Sequence, residues 1–249
     1  MRTRITRRAA IVGGVTGAAG IAFAASLRDS DASTEERIEA REETRDLAPR
    51  TIVTRSTWGA NEALRKDSPT YDSRVEKIVV HHTGTRNDAP DWATEIRQIY
   101  EFETANGYND MSYNWLVDPL GVIYEGRWAR DYPPGTPPDG ESGGAKQVQG
   151  GHTKEHNRRT IGIALLGDFT DVAPTPAAST ALRILLVWKC ARWHIDAAGT
   201  GKYKLDQGGT EVLPNVFGHK RVRETECPGA NLELLIPGLC EQVSLQLSS

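Results

Sequence analysis

The sequence lacks a long, strongly apolar run. Its most apolar stretch, residues 9–25 (AAIVGGVTGAAGIAFAA), is diluted by glycine and is short beside the about 20 apolar residues a membrane-spanning helix needs. It also lacks an excess of positive charge. The formal net charge is -3, and four of its arginines (Arg2, Arg4, Arg7, Arg8) crowd the extreme N-terminus, so the remaining chain is more acidic still. That balance argues against a nucleic-acid partner and against electrostatic adhesion to an anionic membrane or polymer. No internal repeat is present. Cysteine is scarce: there are three, Cys190, Cys227 and Cys240. None lies near the N-terminal apolar run, which excludes a lipid anchor there.

What is present at the N-terminus reads as an address. A basic head, MRTRITRR, precedes the mild apolar run, and Ala22-Phe23-Ala24 has the small-x-small form of a signal-peptidase site. Arg7-Arg8 ahead of a weakly apolar core resembles a twin-arginine export signal. Residues 1–25 are therefore read as a signal peptide, removed on export to an extracellular or wall-associated location, with no stable membrane span afterwards. Residues 26–50 are charge-rich and poor in large apolar side chains, as in a linker.

The folded part is expected over 51–249. VEKIVV (75–80), ending at His81-His82, reads as a strand. Trp92, Ile96, Ile99 and Tyr100 recur at helical spacing within 88–106. In SYNWLVDPLGVIYEGR, Asp118-Pro119-Leu120-Gly121 suits a turn with Pro second and Gly fourth, giving a hairpin. Residues 128–150 are rich in Pro and Gly and read as a long irregular loop. TIGIALL (160–166) is continuously apolar, as in a strand buried on both faces. Thr175-Pro176 opens a helix expected to reach Ala198 and stop at Gly199. VFGH then ends at His219, and a terminal helix covers about 231–246. The order predicts one α/β domain, a central mixed sheet with helices packed on it.

Two histidine positions fall at the ends of predicted strands, His219 and one of His81 or His82, and ligands gather beyond the carboxyl ends of strands in open α/β sheets. Cys227 follows His219 by eight residues, and Pro228-Gly229 turns the chain directly after it. Two imidazoles and a thiolate suit a catalytic zinc ion with one position left for water. Neighbouring strand residues point to opposite faces, so only one of His81 and His82 can reach such an ion, and the pattern does not choose between them. An odd cysteine count in an exported chain asks for one cysteine with a separate task. With Cys227 on a metal, Cys190 and Cys240 are left as a possible disulfide pair.

Five stretches, in order, resemble the type 2 N-acetylmuramoyl-L-alanine amidases, the superfamily of the peptidoglycan recognition proteins. They are RSTWGA (55–60), IVVHHTGT (78–85), MSYNWLVDPLGVIYEGR (111–127), GGHTKEHNRRTIGIALLGDF (150–169) and GHKRVRETECPG (218–229). The resemblance implies zinc ligands at His81, His219 and Cys227, which selects His81 over His82. It implies a catalytic role for Tyr113, with Thr225 as a hydrogen-bond donor to the substrate carbonyl, and a substrate groove bordered by His152 and Asn157. Trp58 is expected as a core anchor, and His82 and His194 as structural. Two departures stand out: Lys220-Arg221 where relatives commonly carry Arg-Asp, and the long loop 128–150. Trp128 follows Arg127 directly, so the peptide preference some relatives derive from a Gly-Trp pair does not carry over.

The reaction so implied is hydrolysis of the amide between N-acetylmuramic acid and L-Ala in peptidoglycan or muropeptides. The sequence names no clear general acid; Glu226 and a zinc-bound water are the two candidates. Rival readings are a peptidoglycan-binding module without turnover, a thiol hydrolase using Cys227 with His219 as base, and an envelope scaffold. Relatives that bind without cutting lack the cysteine ligand, and Cys227 is present here.

Overall fold

A computed structural model of the protein describes residues 32–249. The export signal read at 1–25 lies outside the described residues. The elements, in chain order, are α1 (Thr34–Glu43), α2 (Arg55–Trp58), β1 (Tyr71–Asp72), β2 (Lys77–His82), α3 (Trp92–Ala105), β3 (Trp115–Val117), β4 (Ile123–Glu125), β5 (Gln147–Val148), β6 (Thr160–Leu165), α4 (Pro176–Trp193), β7 (Thr200–Lys204), β8 (Thr210–Pro214), β9 (Val216–Gly218) and α5 (Ala230–Leu247), with short 3-10 turns between some of them. The main sheet has the order β4-β3-β6-β2-β9. β2 lies parallel to β6 and β9, β3 runs parallel to β6, and the β3–β4 hairpin is antiparallel. This is the mixed sheet expected from the sequence.

Period-2 alternation along the two central strands divides the core. Ile78 and Val80 of β2 and Ile161, Ile163 and Leu165 of β6 face the cluster that holds Leu182, Leu185 and Leu186 of α4 and Leu232 and Ile236 of α5. On the other face, Leu116 joins Trp58, Ile96 and Tyr100 under α3. Val79 and Phe217 join Tyr203 and Leu213 under the β7–β8 hairpin. The two helices thus cover one side of the sheet. The other side carries two separate apolar patches with a strip of sheet between them. Trp58 is fully buried and donates from Nε1 to the Glu125 carbonyl at 2.8 Å, the anchor expected of it.

The hairpin turn forms as read, with Gly121 at φ 83° donating to the Asp118 carbonyl at 3.0 Å. α4 starts at its Thr175 cap, which accepts from Ala178 N–H at 3.0 Å. It stops at Trp193, however, and not near Ala198–Gly199. His194 itself takes the left-handed capping conformation (φ 52°) that was expected of Gly199. The β7–β8 hairpin occupies the stretch that follows.

The described part of the segment read as a linker is ordered against the domain. A capping box starts α1, with Ser33 Oγ accepting from Glu36 N–H and Glu36 accepting from Ser33 N–H. The helix then docks through polar groups, which is why apolar content alone missed it. Arg192 of α4, 3% exposed, makes a two-pronged contact with Glu141, 1% exposed, at 3.0 Å per bond, and donates to the carbonyls of Arg37 and Ala145. Removing one partner leaves a buried charge uncompensated. Arg192→Ala is expected to lower unfolding free energy by about 3–5 kcal/mol, measurable by urea denaturation, with α1 becoming the first protease-sensitive segment.

The proposed Cys190–Cys240 disulfide is not formed. Both are free thiols buried in the α4–α5 core, packing as small apolar side chains. Among the described residues, no helix is long and apolar enough to cross a membrane.

Candidate metal centre

The parallel pairing of β2 with β9 sets Val80 opposite Gly218. His81 is the next residue on β2 and His219 is the residue that leaves β9, so the pairing of the two strands brings these imidazoles side by side, with ring centroids 4.6 Å apart. From His219 the chain makes a 3-10 turn and an excursion that returns Cys227 to the same place. Lys220 N–H donates to the Cys227 carbonyl at 2.8 Å, closing that loop. The Cys227–Pro228 peptide is cis. One ligand atom each from His81, His219 and Cys227 all lie within 4.8 Å of one another. His81 is buried and the other two are partly exposed, so the group opens to solvent on the strip between the two apolar patches.

Strand alternation separates the adjacent histidines, and only His81 puts its ring in the cluster. His82 turns to the helical side, where its Nδ1 accepts from Phe169 N–H at 3.2 Å. Only its backbone touches the cluster: His82 N–H points at Cys227 Sγ at 3.4 Å. Cys227 Sγ lies 3.5 Å from His81 Nδ1, which identifies Nδ1 as the nitrogen of His81 that faces the cluster.

The electrostatics suit a cation. Burial brings His81 well below the ordinary histidine range, with His152 and His219 adding to the effect. Burial, then Arg223, brings His219 down to about 4. Both imidazoles are therefore neutral and have lone pairs to offer. Burial pushes the Cys227 thiol up to about 12, so in isolation it stays protonated; a divalent ion in its place would supply the charge that deprotonates it. Neutral nitrogen donors and one sulfur, close-set and one side open, fit zinc chemistry.

Tyr113 packs its ring against His81, centroids 5.2 Å apart. Burial, reinforced by Glu103 and Cys227, holds its phenol well above the usual tyrosine range, so it keeps its proton. Thr225 Oγ1 accepts from Cys227 N–H at 3.2 Å, which holds the turn and leaves the hydroxyl hydrogen free to donate elsewhere. Glu226 is exposed.

Of His152 and Asn157, both expected beside a substrate groove, His152 is buried and Asn157 is partly exposed. His152 is 7% exposed and sits behind His81, its Nδ1 3.1 Å from His81 Nε2. Asn157 Oδ1 accepts from Thr153 N–H at 2.8 Å and its own N–H donates to Asp206, so its polar groups tie the 152–157 loop together. Thr153 and Thr160, which surround His152, escaped the sequence reading. A threonine opening an apolar strand carries no signal until the loop before it folds back. Lys220 and Arg221 are exposed, with no side-chain contact to His219 among the described hydrogen bonds and ion pairs.

Comparison with known proteins identifies the family. The sequence profile of the N-acetylmuramoyl-L-alanine amidase family matches residues 71–230. Peptidoglycan-recognition protein SC2 of Drosophila simulans is 30% identical over 186 residues, covering 73% of this chain and 82% of that protein. Peptidoglycan-recognition protein LB of Drosophila melanogaster is 27% identical over 190 residues, covering 75% and 67%. The crystal structure of peptidoglycan recognition protein-LE in complex with tracheal cytotoxin, a monomeric diaminopimelic acid-type peptidoglycan, superposes with a TM-score of 0.56 at 28% identity, covering 75% of this chain and 92% of that one. With the profile spanning well over half of its length, the chain belongs to the N-acetylmuramoyl-L-alanine amidase family.

Proposed function

We propose that this protein hydrolyses the amide joining N-acetylmuramic acid to L-Ala in peptidoglycan or its fragments, using a zinc ion held by His81, His219 and Cys227. The observation that carries the reading is the convergence of those three donors on one point of the sheet, open to solvent on one side. Relatives whose names and complexes specify peptidoglycan support the substrate class. The signal read at residues 1–25 supports export to the compartment where that polymer lies.

When bound, zinc supplies a Lewis acid for the scissile carbonyl and lowers the pKa of a bound water towards 7. The chain's own residues do the rest. The two neutral imidazoles and the thiolate fix the site on a rigid ladder and a closed loop. Tyr113, kept protonated by burial, donates its phenol hydrogen to the oxygen on which charge develops, an interaction stronger in the transition state than in the ground state. Thr225 directs its free hydroxyl hydrogen towards the substrate carbonyl while its oxygen holds the Cys227 N–H.

Incubation of the purified protein with muropeptides, followed by mass spectrometry, is the direct test. Release of free stem peptides and peptide-free muramoyl sugars supports the proposal; intact muropeptides, with retained binding to the wall, favour a binding module. Chelation separates the metal reading from a thiol hydrolase. EDTA is expected to abolish turnover, and stoichiometric zinc to restore it. A hydrolase with Cys227 as nucleophile would keep its rate in EDTA.

A further inference from the structure

We infer that His152 is a positioning residue that locks the ring and tautomer of His81. The inference rests on the zinc reading above. His81 presents Nδ1 to the cluster, on the side of Cys227 Sγ. Its other nitrogen, Nε2, must then carry the hydrogen and needs an acceptor, because a buried N–H without one is costly. His152 Nδ1 lies 3.1 Å from it. For His152 to accept there, its own hydrogen must reside on Nε2, and Thr160 Oγ1 lies 3.4 Å from that atom. Thr160 in turn spends its hydroxyl hydrogen on the His156 carbonyl at 2.6 Å, leaving lone pairs for His152. One arrangement through the 3.1 Å contact gives every donor in this buried chain an acceptor: His81 to His152, His152 to Thr160, Thr160 to a backbone carbonyl. The Thr153 hydroxyl, 3.0 Å from His152 Nδ1 and 3.4 Å from His81 Nε2, flanks the same junction.

The backbone is shaped around this ring. A Cβ placed on Gly162 of β6, or on Gly150 two residues before His152, would overlap the His152 imidazole. Gly162 lies opposite Val79 on the neighbouring strand, so the absent side chain clears the sheet face beside His81. Asn114 clamps the same place, accepting from Gly162 N–H at 2.8 Å and donating to the Val148 carbonyl at 2.9 Å. Two glycines, one in the loop after β5 and one on β6, thus make the cradle, and a surface contact for substrate would need neither.

Metal-ligating histidines are oriented by what their second nitrogen meets, and losing that partner costs about 10–100-fold in metal affinity. Zinc affinity, read by competition with a chromophoric chelator, is expected to fall by about that factor in His152→Phe. His152→Asn, whose amide oxygen can take the place of Nδ1 as acceptor, is expected to recover most of it. Gly162→Ala, with His152 intact but displaced, is expected to behave like His152→Phe. Wild-type zinc affinity in His152→Phe would overturn the assignment, as would equal losses in the Phe and Asn variants, which would mark His152 as packing only. Wild-type protein that takes up no zinc would overturn the metal reading itself, and this inference with it.

Discussion

Cys227→Ser is expected to leave a folded protein that no longer retains zinc in dialysis and hydrolyses muropeptides at least about 10³-fold more slowly. A Lewis acid contributes several kcal/mol of transition-state charge stabilisation, and each 1.36 kcal/mol is a factor of ten in rate. Serine keeps the size and the hydrogen-bonding ability that Cys227 uses towards the His82 backbone, so the loop should close as before. What it does not keep is the sulfur anion: a serine hydroxyl is neither soft nor acidic enough to replace a thiolate on zinc. The measurement pairs zinc content per chain with turnover and pull-down on insoluble peptidoglycan. An unchanged rate would remove the metal from the mechanism. Lost turnover with retained wall binding would separate cutting from recognition in one protein.

Tyr113→Phe is expected to lower kcat by about 10²–10³-fold, the usual cost of deleting one donor to a developing oxyanion. KM and zinc content should stay near the wild-type values. The substitution removes only an oxygen, and the ring can remain against His81 at its 5.2 Å centroid distance. A change confined to KM would show that the phenol holds the ground state, and a loss of zinc would show that the ring buttresses His81. Steady-state kinetics with metal analysis on the same sample distinguishes these results.

Much of the site was legible because its residues sit where strand periodicity and turn chemistry put them. The apolar runs at 75–80 and 160–166 gave the two central strands, and the Asp118–Gly121 turn gave the hairpin that leads from Tyr113. The strand-end positions of His81 and His219, with Cys227 followed by Pro-Gly, narrowed the ligands to two alternatives, and the motif resemblance chose His81. The structure adds the physical reason, since His82 is turned to the helical face. Other features depend on distant partners and left no local mark. The β7–β8 hairpin is mostly polar on its exposed face, and it is held by the buried Tyr203 and Leu213 and by Lys77, which donates to the Gly201 and Leu213 carbonyls. α1 looked able to order itself at most as an exposed helix, because its docking runs through arginines and backbone carbonyls: Arg192 to Arg37, Arg37 to Gly144 and Arg41 to Ser142. His152 looked like a groove residue because its motif adjoins the groove in relatives; the glycines that admit it to the interior, Gly150 in a loop and Gly162 on β6, reveal their purpose only when folded together.

The ladder between β2 and β9 has one more consequence. Strand spacing is a property of the peptide backbone, about 4.8 Å, so the interval between Val80 and Gly218, the residues that lead into the two imidazoles, is set when the sheet forms, before any ion arrives. Small zinc domains that assemble around their metal unfold when it is taken away. Here the apolar core between the sheet and the α4–α5 pair lies on the sheet face opposite His81 and contains none of the three candidate ligands. A chain built in this way should surrender its zinc and take it up again without melting, the ion acting as a replaceable tool and not as the keystone of the fold.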